Sequence, residues 1–284
     1  MISFVTAIKI CRYYEDYGDR LKDYIENISW GCGLFDISYE IIVCEDICEK
    51  NVKLLGDIFS LNFLKENNTK LISIKQDYPN PIGYNMIEAY AKNAGLHESK
   101  GEYVCITNAD ILFNYDFFYY VKNKLQKNRF YRFLQYESKN IELTVDFTPL
   151  LIAEHNVKRA VNPFLNVKTA NYRNLKNMNS IDAIVVAMAN KSGDIMLMDK
   201  ENWLKIKGFP ENKYWVHSDY IVCRVVNNNR IPIEAVQEPV KIYTFEPKGI
   251  QPIVRNEQQP SDDTPPDVAE WKFAQSYNSS LTCN

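Results

Sequence analysis

The chain has 284 residues, 46% of them hydrophobic and 24% charged, which suits one large globular domain or two small ones and needs no long disordered region. A formal net charge of −3 gives no overall attraction to nucleic acid or to an anionic membrane. No nucleic-acid partner is expected, and any phosphate site must be a local feature.

Ile2 to Ile10 reads as a first strand, rich in β-branched residues. No basic leader precedes it, so no signal peptide is expected. Leu21, Tyr24, Ile25 and Ile28 recur at helical spacing, and Tyr39 to Cys44 is a second strand ending at Glu45-Asp46. The apolar spacing predicts a second helix over Val52 to Leu64, then a short strand over Leu71 to Ile74. Asn80-Pro81 starts a third helix that runs to about His97, with Asn as cap and Pro at the first helical position. Strands alternating with helices predict a parallel sheet, so the ends Thr6-Ala7, Glu45-Asp46 and Asn108-Asp110 converge on one edge.

The most informative stretch is Gly101 to Phe113. Tyr103 to Ile106 is an apolar run of strand length, and it opens at once into Thr107-Asn108-Ala109-Asp110. Asp110 falls just past a strand's carboxyl end, where open α/β sheets bind ligands. A carboxylate there suits a divalent cation held against a diphosphate, although Asn and Asp are also ordinary turn residues.

Further along, Asp116 to Leu125 predicts a helix and Phe130 to Tyr136 a strand, while 138 to about 180 carries little periodicity. Ile195 to Met198 is a strand, Asp199 caps a helix over Lys200 to Ile206, and Gly208 stops it. His217-Ser218 opens a helix through Val226, and Val236 to Phe245 contains a last strand. From Glu246 on, Pro, Gln, Asp and Ser dominate, as in an extended arm.

The longest apolar run, Ala183 to Ala189, is far shorter than the ~20 residues of a membrane helix. Of seven cysteines, Cys44, Cys105 and Cys223 lie inside apolar elements, and no second pair joins Cys44-x₃-Cys48 to make a zinc site. Reduced buried thiols and a cytoplasmic location are the expectation. No Gly-x-Gly-x-x-Gly follows the first strand, and no Walker loop or Gly-rich nucleotidyltransferase loop is present.

Three passages in order carry a resemblance over about residues 2–245. They are Ala91-Lys92-Asn93-Ala94-Gly95 leading into Gly101-Glu102-Tyr103 and Thr107-Asn108-Ala109-Asp110; Ser192-Gly193-Asp194-Ile195-Met196-Leu197-Met198; and Lys207-Gly208-Phe209-Pro210-Glu211 with His217-Ser218-Asp219. On these the chain resembles GT-A fold glycosyltransferases near family 2, in particular members linked to bacterial polysaccharide biosynthesis. The resemblance implies an α/β GT-A fold with a mostly parallel central sheet. It implies a domain over 1–246, with a donor half over about 1–136 and an acceptor half over about 137–246, and a C-terminal arm over 247–284.

The same resemblance implies roles. Thr6, Ala7, Glu45 and Asp46 would hold the nucleotide base and ribose. Lys92 and Asn93 would lie near the diphosphate, and Asn108-Ala109-Asp110 would stand at the Asp-x-Asp motif with Asp110 on Mn²⁺ or Mg²⁺. Gly193 and Asp194 would line the sugar, Trp215 and His217 the acceptor, and Asp219 would be the base of an inverting transfer. Asp219 in a first helical turn would be favoured as the ionised carboxylate, which also suits simple dipole compensation. The implied partners are a nucleotide-sugar donor and a glycan or glycolipid acceptor, and an oligomer is compatible with the sequence.

Two departures bear on the metal: Asn108 replaces the first acid, and Thr244 stands where relatives tend to carry His near the last strand. A catalytically inactive nucleotide-sugar-binding protein of this fold and a sugar nucleotidyltransferase therefore stay open as rivals, as does a non-enzymatic adaptor docking through the nineteen tyrosines.

Overall fold

In this computed structural model the described residues are 1–8, 17–47, 54–74, 88–133, 135–138, 141–143, 149–151, 158–159, 195–209, 218–236 and 239–245. Four parallel strands form the heart of the main sheet: β1 (Ile2–Ile8), β2 (Tyr39–Asp46), β3 (Thr69–Ile74) and β4 (Tyr103–Asn108). They are linked by α1 (Tyr17–Leu34), by the short α2 (Leu55–Ile58) and α3 (Leu61–Glu66), and by α4 (Glu88–Glu98). β5 (Ile111–Phe113) and α5 (Tyr115–Lys124) follow, then β6 (Phe130–Phe133), β7 (Gln135–Ser138), β8 (Ile141–Leu143), β9 (Pro149–Leu151) and β10 (Lys158–Arg159). The described chain ends with β11 (Ile195–Asp199), α6 (Lys200–Lys205), α7 (Ser218–Asn228), β12 (Ile233–Val236) and β13 (Ile242–Phe245).

The main sheet has seven strands in the order β12-β6-β11-β4-β1-β2-β3. β11 alone runs antiparallel to its neighbours, β4 and β6, so the expected parallel sheet is mostly parallel. Alternation along β1 feeds two cores. Phe4 and Ile8 pack with Tyr24 of α1 and Phe117 of α5 on one face, while Val5 and Ala7 pack with α4, Trp203 and Val222 on the other. A second, four-stranded sheet runs β10-β7-β13-β5, and β8 and β9 pair by themselves.

Several expected elements divide. The helix predicted over Val52 to Leu64 is two helices, because Phe59 is extended (φ −106°, ψ 129°) and Ser60 caps a new start by accepting from the Phe63 amide at 3.2 Å. Phe59 is thereby buried, which a continuous helix would not have required. The strand expected over Phe130 to Tyr136 changes sheets between β6 and β7; β13 is the last strand expected within Val236 to Phe245, and β12 ahead of it is an additional strand. Short strands occupy part of the stretch read as irregular, since two-residue or three-residue pairings leave no readable period. The start of the third predicted helix, and everything beyond 245, lie outside the described residues.

The cap at Asp199 forms as the sequence indicates, with its Oδ1 accepting from the Asn202 amide at 3.0 Å. α6 then unwinds through Lys207 (φ 61°) and Gly208 (φ 66°), the left-handed ending that glycine permits.

Candidate functional site

The order β3-β2-β1-β4 places the chain's reversal between β1 and β4. In such sheets the crevice beyond the carboxyl ends at that point is the place for a ligand. Register brings the predicted residues there: Thr6 lies opposite Thr107, Ala7 opposite Asn108 and also opposite Cys44, and Ile8 opposite Glu45. Asp46 ends β2 beside Ile74. The three strand ends therefore meet on one edge, as the sequence predicts.

Thr6 is fully buried, and its hydroxyl oxygen has no hydrogen-bond partner among the described residues. Its neighbour Thr107 is satisfied, 2.7 Å from the buried hydroxyl of Tyr24 on α1. Glu45 is 3% exposed and accepts from the Leu55 amide at 2.9 Å, at the start of α2. Burial pushes its carboxyl up to about 7; the Leu55 amide opposes this, and the nearby Asp57 and Asp46 carboxylates add to it.

Lys92 comes from α4, which packs across the same sheet. Its ammonium donates to Asn108 Oδ1 at 2.8 Å and to Glu88 Oε2 at 2.9 Å, and lies 5.7 Å from the Phe209 ring centroid. Only 7% of Lys92 is exposed. The neighbouring Asn93 donates to the Phe209 carbonyl at 2.9 Å and accepts from the Phe209 amide at 2.8 Å. Small residues Ala91, Ala94 and Gly95 let α4 lie close on the strands; a Cβ at Gly95 would come within 2.3 Å of Val5 Cγ1.

Ala109 is buried and Asp110 partly so, between the end of β4 and β5. Across from β5, Thr244 of β13 lies opposite Ile111, next to Asp110. Thr244 therefore pairs one position from Asp110, on the strand where the resemblance implies a histidine.

Asn108 fits a resident divalent cation poorly. The Asn108 oxygen already accepts from an ammonium at 2.8 Å, so a cation bound to that oxygen would lie no more than about 5 Å from Lys92. At that separation and an effective dielectric of about 20 their repulsion would be about 7 kcal/mol. Among the described residues no three His, Cys, Asp or Glu side chains gather as a metal site.

β6 and β12 run parallel to β4, because β11 reverses direction between β4 and β6. α7 reaches β12 through the short turn 229–232 and buries Val222, Val225 and Val226 against the sheet. It must run back along the strands, so its first turn, with Asp219, begins at the carboxyl edge. Gly193, Asp194, Trp215 and His217 lie outside the described residues. Sequence reasoning missed Arg132, a fully buried cation among the aromatic residues of β6. A single charge inside Phe130-Tyr131-Arg132-Phe133 was the available signal, since buried charges are rare unless something demands them.

No family model matches the sequence, and no curated protein matches it. Solved structures do match. The structure of S. aureus TarS 1–349 in complex with UDP-GlcNAc aligns with a TM-score of 0.51 at 11% identity, over 88% of this chain and 59% of that one. The same protein in complex with UDP gives 0.50 at 12% identity, over 86% and 60%. The catalytic domain of Drosophila β1,4-galactosyltransferase 7 with xylobiose gives 0.43 at 10% identity, over 88% and 66%. This chain spans about three fifths of the TarS structures it matches. The mixed sheet and the two TarS alignments define a GT-A glycosyltransferase fold.

Among the described residues no helix is long and apolar enough to cross a membrane.

Proposed function

We propose that the chain is an inverting glycosyltransferase that moves a sugar from a nucleotide-sugar donor to a hydroxyl of a glycan or glycolipid acceptor. The observation that carries this reading is the meeting of Thr6, Ala7, Glu45, Asp46, Asn108 and Lys92 at the reversal point of a GT-A sheet. The donor's base and ribose go to the ends of β1 and β2, and its diphosphate goes beside Lys92. Residues up to about 136 supply this donor half and those over about 137–246 the acceptor half. The neighbours solved with UDP and UDP-GlcNAc support a nucleotide-sugar as donor.

In the reaction, Asp219 takes the proton of the acceptor hydroxyl as that oxygen bonds to the anomeric carbon. The bond from the anomeric carbon to the diphosphate breaks, and its electron pair leaves on the phosphate oxygen. Asp219 is suited to this because the helix N-terminus favours its ionised form. Asp110, at the turn after β4, lies at the diphosphate. Gly193 and Asp194 line the sugar, and Trp215 and His217 the acceptor.

The test has two readouts. A thermal-shift panel of UDP-, GDP-, CDP- and dTDP-sugars identifies the donor by the rise in melting temperature, and donor hydrolysis then reports turnover. Wild type should hydrolyse the donor that stabilises it. Asp219→Asn should bind equally but lose turnover by a factor of about 10³ or more. Stabilisation without turnover in wild type would favour the inactive binding protein, the reading that Asn108 and Thr244 suggest. Release of pyrophosphate from a nucleoside triphosphate and a sugar phosphate would make it a nucleotidyltransferase.

A further inference from the structure

We propose that the Lys92 ammonium occupies the role a divalent cation would have at Asn108, so that the donor diphosphate binds without metal. The inference rests on the donor-site reading above. A lysine ammonium carries three N–H donors, and among the described residues two are used, on Asn108 and Glu88. The third remains for a phosphate oxygen.

The ammonium is held in place before any ligand arrives. Its stem is buried along α4, the Phe209 ring lies beside it, and Asn93 fixes the Phe209 backbone by two hydrogen bonds. A cation held in this way costs little reorganisation when negative charge comes to it. Glu88 sets the balance. Its carboxylate pairs with Lys92 but is half exposed, so it is the weaker, solvent-screened partner that a diphosphate displaces. Asn108 has the complementary character: a neutral oxygen steadies the ammonium without cancelling its charge, which an aspartate there would do.

The experiment measures UDP, GDP, CDP and dTDP binding to the full chain by calorimetry, in EDTA and in Mn²⁺. For the nucleotide that binds, affinity in EDTA should lie within about threefold of that in Mn²⁺, and Lys92→Met should lose about tenfold or more. Glu88→Gln removes the competing carboxylate and should tighten binding in EDTA by about threefold. A merely structural Lys92–Glu88 pair would not give that gain. Where Lys92→Met fails to fold, Glu88→Gln decides: unchanged or weaker binding overturns the proposal. Binding that appears only with Mn²⁺ also overturns it and leaves the donor site standing. If none of the four nucleotides binds in either condition, the donor reading itself fails and the inference with it.

Discussion

Asn93 and Phe209 lie 116 positions apart and are joined by two hydrogen bonds, one in each direction. The carboxamide serves as a backbone substitute, completing the amide and carbonyl of a residue that belongs to no strand or helix. This clamp ties the segment after α6 to α4, one residue from Lys92. Asn93→Ala should therefore leave two buried backbone groups without partners and cost about 2–5 kcal/mol in urea unfolding.

Gly208 is the other half of the same clamp. Its φ is +66°, and an added Cβ would lie 2.3 Å from Asn93 Oδ1. Gly208→Ala combines backbone strain with loss of that contact, and we expect about 2–4 kcal/mol of destabilisation on the same measurement. A cost below 0.5 kcal/mol would show that the turn relaxes freely.

Gly95 tests how tightly α4 lies on the sheet. A Cβ there would meet Val5 Cγ1 at 2.3 Å and Cys44 Sγ at 2.9 Å. Gly95→Ala should cost about 1–3 kcal/mol by overpacking. Because Lys92 is on the same helix, nucleotide affinity should fall along with the melting temperature.

Glu45 links stability to pH. Its carboxyl titrates near 4.5 when unfolded and at about 7 when folded, with burial as the main cause. Between those values the folded chain keeps a proton that the unfolded chain has released, so stability falls as pH rises through the window and levels off above about 7. Glu45→Gln keeps an oxygen for the Leu55 amide and removes the titration. It should raise the melting temperature by about 2–4 °C at pH 8 and change it little at pH 4.5. An equal effect at both values would mean that Glu45 is not the source.

Cys32, Cys44, Cys105 and Cys223 are buried and form no disulfide. Burial pushes Cys44 up to about 12 and raises Cys32 and Cys105 as well. Thiolates are the reactive form, so a thiol reagent at pH 8 should label no more than three of the seven cysteines in native protein. All seven should react after denaturation.

Much of the donor edge was legible in the sequence because apolar runs end abruptly in polar residues there, as at Ile106-Thr107-Asn108 and Cys44-Glu45-Asp46. Strand length and period carry that signal locally. What the sequence did not reveal depends on partners far along the chain. The engagement of Asn108 by Lys92 needs α4 to cross β4, and the reversed direction of β11 depends on where residues 195–199 insert. The break at Phe59-Ser60 was hidden because apolar spacing continues through it, and only burial of the Phe59 ring decides the outcome. The placing of Thr244 one position from Asp110 follows from a pairing between β13 and β5 that no local pattern announces.

The position of β11 also governs the order in which the protein can assemble during synthesis. β4 and β6 emerge from the ribosome with no strand between them, and residues 195–199 must arrive before the sheet can be joined across. Until then β4 presents an open edge, the kind of surface on which nascent chains aggregate. Translation stalled before residue 195 should yield an N-terminal parallel subassembly that depends on chaperones, with β6 excluded from it.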